Sequence, residues 1–100
     1  MTYVVIWEFH VKPDSISTFA KAYAPDGDWA QFFRRSADYL GTELIRDVDH
    51  SGRYLTLDRW TSQGALHQFK RDHHEEYVAL DKQCERLTEQ ERLLGEYETI

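Results

Sequence analysis

A chain of 100 residues has room for one hydrophobic core, so a single domain over residues 1–100 is expected. Hydrophobic residues make up 41% and charged residues 30%, which excludes a disordered or fibrous chain. A net charge of −6, with Lys and Arg unclustered, excludes an electrostatic grip on nucleic acid or on anionic lipid. The single Cys84 allows neither an internal disulfide nor a thiolate metal cage. Met1–Val11 lacks the basic start of a secretory signal, and no apolar run approaches the roughly 20 residues that cross a bilayer. A soluble, cytoplasmic domain with no membrane partner is the expectation. The aromatic share, 14%, must either fill a core or line a pocket or a subunit interface.

Tyr3–Val11 is dense in β-branched and aromatic residues and predicts a strand. Its odd positions, Tyr3, Val5, Trp7, Phe9 and Val11, are all apolar, whereas the even ones pass from Val4 and Ile6 to Glu8 and His10. One face is therefore expected to be buried throughout and the other only at its N-terminal end. Lys12-Pro13-Asp14-Ser15 ends the strand and opens a helix with an apolar stripe of Ile16, Phe19, Ala20 and Tyr23. Pro25-Asp26-Gly27 breaks it, and Asp28 is the expected cap of a short second helix carrying Trp29, Phe32 and Phe33 on one face.

Tyr39–Val48 predicts a second strand, Asp49–Gly52 a turn, and Arg53–Trp60 a third strand. On the third, Leu55 and Leu57 share one face, while Tyr54, Thr56, Asp58 and Trp60 share the other. The short polar connection makes these two strands an antiparallel hairpin. Ser62 is placed to cap a helix at Ala65, and Leu66, Phe69, Tyr77, Leu80, Cys84 and Leu87 keep helical spacing. One long helix to Leu87, bent near Asp72–His74, is expected. Thr88–Glu91 reads as an interruption and Leu93–Tyr97 as a short last strand. The order is that of a ferredoxin-like α+β domain, βαββαβ, with an antiparallel sheet. Helices on one face leave the other bare, and apolar residues on both faces of the first strand predict a homodimer packed sheet to sheet.

With Val5–Phe9, Gly27–Phe33, Tyr39–Leu44 and Tyr54–Trp60 in this order and spacing, the chain resembles the antibiotic biosynthesis monooxygenase-like domains of the dimeric α+β barrel superfamily. The resemblance covers nearly the whole chain. It implies an oxygenase-like scaffold, and the polyketide-oxidising branch that it suggests uses neither metal nor flavin. The haem-degrading branch relies on an Asn in the first strand and a Trp, then a His, on the helix after the third. Here the chain contains no Asn, Phe69 replaces the Trp, and Tyr77 or Ala79 lies near the His position, so haem degradation is not expected.

His73 falls in the middle of the long helical stripe, where an imidazole can act as a general base or orient a phenol, or simply be a hydrogen-bonded core histidine. Asp58 is a second candidate proton acceptor; a cross-strand salt bridge would also account for it. Trp7, Tyr23, Trp29, Phe33, Trp60 and Phe69 are the candidate walls of a site for a flat aromatic molecule, against the simpler alternative of core packing. His67 and His74 lie two helical turns apart, about 10 Å along the axis, too far to share one ion, so no metal site is assigned. The sequence thus supports a cofactor-independent monooxygenase-like enzyme acting on a small aromatic or quinone-like substrate. The alternative is a non-catalytic dimeric protein that binds such a molecule.

Overall fold

The computed structural model describes residues 1–100. Eight elements follow in order: β1 (Tyr3–Val11), α1 (Ile16–Tyr23), α2 (Asp28–Phe33), β2 (Tyr39–Arg46), β3 (Arg53–Trp60), α3 (Gln63–Asp72), α4 (His74–Glu85) and β4 (Thr88–Glu98). The strands form one antiparallel sheet in the order β2-β3-β1-β4, so the hairpin β2–β3 sits beside β1, and β4 closes the other edge. This is the ferredoxin-like α+β arrangement that the element order predicts.

The two faces of β1 behave differently. Tyr3, Val5, Phe9 and Val11 join Phe19, Tyr23, Trp29, Phe32, Phe33, Trp60 and Phe69 in one core between sheet and helices, with Trp7 packed against it. On the opposite face Val4 and Glu8 are both buried, the latter because Arg53 from β3 and Arg92 from β4 lie across its carboxylate at 2.6 and 3.1 Å. Arg53 is the chief reason that the Glu8 carboxyl ionises below its usual range. A charge is thus held in an otherwise apolar strand by two cations rather than by solvent.

β2 and α4 each end two residues before the expected Val48 and Leu87, and three further boundaries differ from the sequence reading. Asp28 is the first helical residue of α2 rather than its cap; Gly27 caps it, and Asp28 favours the positive end of the helix from within the first turn. The long helix is two helices, because the backbone of His73 leaves the helical region (φ −122°, ψ 32°) between α3 and α4. Ser62 caps α3 as expected, its hydroxyl accepting the Ala65 N–H at 3.0 Å. Finally β4 begins at Thr88: Thr88–Glu91 pairs with Phe9–Val11 of β1 instead of interrupting the chain. Its polar composition suits an edge strand, where one rim of backbone meets water.

Candidate active site

The helices do not fill the inner face of the sheet completely. A cavity of about 120 Å³ remains, walled by Trp7 and Phe9 of β1, Tyr23 of α1, Trp29 and Phe33 of α2 and Tyr77 of α4. Its polar lining comes from Thr42, Thr56, Asp58, Asp81 and Glu91. Trp29 is the hub of the wall: its ring centroid lies 5.2 Å from Tyr77, edge to face, 5.6 Å from Phe33 and 6.1 Å from Tyr23. The break at His73 turns α4 so that Tyr77 meets Trp29. Beside Tyr23 and Cys84, the Trp29 indole nitrogen is buried without a hydrogen-bond acceptor.

Asp58 stands in the middle of β3, opposite Thr42 of β2 and Val5 of β1. The Thr42 hydroxyl donates to Asp58 Oδ1 at 2.5 Å, and Tyr39 Oη lies 2.5 Å from the same Thr42 oxygen. A threonine hydroxyl has one proton, so while Thr42 donates to Asp58, Tyr39 is the donor to Thr42. The result is a directed chain, Tyr39 to Thr42 to Asp58. Burial pushes the Asp58 carboxyl up to about 6, against the partial relief of the Thr42 hydrogen bond and the more distant positive charge of Lys70. Burial likewise pushes Tyr77 up to about 12, helped by the negative charges of Asp81, Asp58 and Glu91. Glu91 is raised by burial first, then by Asp81 and Glu85.

The candidates read from the sequence separate here. Trp7, Tyr23, Trp29, Phe33 and Asp58 come together at the cavity. Trp60 and Phe69 lie behind its wall in the core, Trp60 without solvent exposure, their rings 5.5 Å apart. His73 is outside it: at the α3–α4 junction its ring lies 4.5 Å from Phe69 and its Nδ1 3.9 Å from Glu76. Helical periodicity put His73 on the inner stripe, and the one-residue break removes the condition on which that placement rests. No group of three potential ligands that could hold a metal ion forms in the chain, and no helix is long and apolar enough to cross a membrane.

A family model described as antibiotic biosynthesis monooxygenase matches residues 2–80. The chain belongs to this family. Among solved structures, a variant of SnoaB from Streptomyces nogalater, described as a cofactor-independent oxygenase, is 17% identical with a TM-score of 0.80, covering 98% of this chain and 92% of that one. Rv0793 from Mycobacterium tuberculosis is 18% identical with a TM-score of 0.72, covering 100% and 96%. A further antibiotic biosynthesis monooxygenase is 18% identical with a TM-score of 0.73, covering 100% and 99%. At these identities the likeness is one of fold. None of the curated protein sequences compared with the chain matches it.

Within this monooxygenase-family scaffold, Phe9, Thr42, Thr56, Tyr77, Asp81 and Glu91 are the cavity residues that sequence reasoning did not single out. Thr56 was within reach of it, since period 2 already put it on the face of Asp58. Tyr77 was assigned only to a packing stripe. Glu91 lay in a segment read as a break, and only its pairing with Phe9 turns it inward.

Proposed function

We propose that the chain is a cofactor-independent monooxygenase-like enzyme whose base is Asp58 and whose substrate is a small phenolic or quinone-forming ring. The observation that carries this reading is a carboxylate with a raised pKa, about 6, held in an aromatic-walled cavity at the end of a hydroxyl chain. A group poised near neutral pH is matched to taking a proton from a weakly acidic phenol or ring CH₂. Family membership supports the same reaction class.

The step balances without a further reagent. Asp58 takes a proton from the substrate, whose electron pair remains on the conjugated ring. The ring passes one electron to O₂, the two radicals combine in a C–O bond, the peroxide anion takes the proton back from Asp58, and loss of water from the resulting hydroperoxide leaves a carbonyl. Ring CH₂ and O₂ give C=O and H₂O. Trp7, Trp29 and Phe33 hold the ring flat against the sheet and exclude water from the anion.

Oxygen uptake with a panel of one- and two-ring substrates, hydroquinones and 2-tetralones, tests this reading. The Asp58→Asn variant is expected to lose roughly 10²- to 10⁴-fold in rate, the usual worth of a positioned base. Uptake that survives this change unaltered, in a protein of normal circular dichroism, would exclude Asp58. The modest cavity, about 120 Å³, favours one or two rings and also supports a second reading, a binding protein without turnover. Tight binding of a ring with no oxygen uptake would decide for it.

The same proposal includes a homodimer. Val4, Ile6, Leu55, Leu57 and Ile45 lie on the sheet face away from the core cluster, with Ile45 43% exposed. A second copy laid face to face would cover them.

A further inference from the structure

Beside the main cavity lies a second hollow of about 60 Å³ that shares Trp7, Phe33, Asp58 and Tyr77 with it and adds Lys70 and His67 from α3. Asp58 therefore stands between two lobes of one site. Lys70 is half-buried, and it takes part in none of the ion pairs of the chain. Its ammonium instead rests over the Tyr77 ring, 5.2 Å from the centroid. Among the residues lining the two lobes it is the one Lys or Arg, and its charge acts on the carboxyls of Asp58 and Glu96.

We infer that Lys70 is a catalytic residue: the cation that holds the oxyanion of the deprotonated substrate, so that the site selects rings bearing an ionisable phenol or enol. This rests on the proposed role of Asp58 and deepens it. When Asp58 takes the proton, the substrate O–H bond breaks, an Asp58 O–H bond forms, and the negative charge moves from the carboxylate to the substrate oxygen. The net charge near Lys70 does not change, but the site now needs a positive charge beside the substrate rather than beside Asp58. In a largely apolar lobe whose acidic groups are Asp58 and Glu96, an oxyanion without such a partner would be desolvated and repelled. Lys70, on a flexible stem and free of any carboxylate clasp, can reach it.

The test follows the ionisation of a bound phenol. 4-Nitrophenol, whose phenolate has its own absorption band, is titrated with pH in the wild-type protein and in Lys70→Met and Lys70→Arg. The titration is repeated in a His67→Gln background, because His67 shares the lobe with Lys70, as do Tyr77, Tyr3, Asp58 and Glu96. Bound phenol is expected to be about tenfold or more acidic in the wild type than in Lys70→Met, with most of the difference restored in Lys70→Arg. Equal ionisation midpoints in the wild type and Lys70→Met, or equal loss of phenol and phenolate binding in the variant, would overturn the assignment. So would failure of the wild type to bind the phenol at all. A Lys70-dependent midpoint without oxygen uptake on any ring would remove the enzyme reading and leave the anion subsite; Asp58-dependent uptake with a Lys70-independent midpoint would do the reverse.

Discussion

Asp58 shows how one side chain ties activity to stability. Its pKa of about 6 in the fold, against 3.8 for a free carboxyl, means that the folded state binds the proton more tightly than the unfolded one. The stabilisation is fully present below pH 3.8 and is lost as pH rises to about 6, where the buried carboxyl must ionise. At one pKa unit per 1.36 kcal/mol, the loss is at most about 3 kcal/mol. Asp58→Asn should therefore raise the melting temperature at pH 7 while slowing turnover as stated above, and the gain should vanish below pH 4; a variant destabilised at pH 7 would contradict this account. As a base, Asp58 should give a rate that climbs with pH and levels above about 6. Thr42→Val removes the donor that favours the ionised carboxyl. The midpoint of the rate profile should then move above that of the wild type, whereas an unmoved midpoint would separate the hydroxyl chain from the function.

At the level of elements, the joint between α1 and α2 governs the cavity wall. A methyl group on Gly27 would lie 2.6 Å from the Lys21 carbonyl oxygen and 2.7 Å from that of Ala22, both backbone atoms that cannot step aside. Gly27→Ala should cost roughly 1–3 kcal/mol through this overpacking and should weaken ring binding, since α2 carries Trp29 and Phe33. Thermal melts and a binding titration check both effects. This joint was visible in the sequence as Pro25-Asp26-Gly27, as was the face of β3 that carries Thr56 and Asp58, because turn chemistry and period 2 are local properties. The contact between Thr42 and Asp58 was not, because it depends on the pairing of β2 with β3 past an irregularity between Tyr39 and Gly41. Nor was the start of β4, where polar residues hide a strand from any hydrophobic pattern. His73 packs on Phe69 and Phe32 but lies outside the cavity for a related reason: helical spacing is informative only while the helix is unbroken.

For the molecule as a whole, the sheet has one face committed to the core and one that the proposed dimer would cover. Sedimentation is expected to give a dimer for the wild type, and Ile6→Arg combined with Leu57→Arg should dissociate it by setting like charges in paired positions at the centre of that face. A monomeric wild type would refute the sheet-to-sheet assembly. The two unbonded indoles have a consequence of another kind. Trp29 and Trp60 keep their N–H groups away from water and without an acceptor. Indoles so enclosed emit at shorter wavelength than indoles in water, so the folded chain carries a blue-shifted signal of its own. Trp7 and Trp29 wall the cavity and Trp60 does not, which divides that light into two parts. A ring entering the site would extinguish the first part by contact and leave the second as a constant background. The aromatic surplus of this small domain thus amounts to a built-in optical gauge of whether its cavity is occupied.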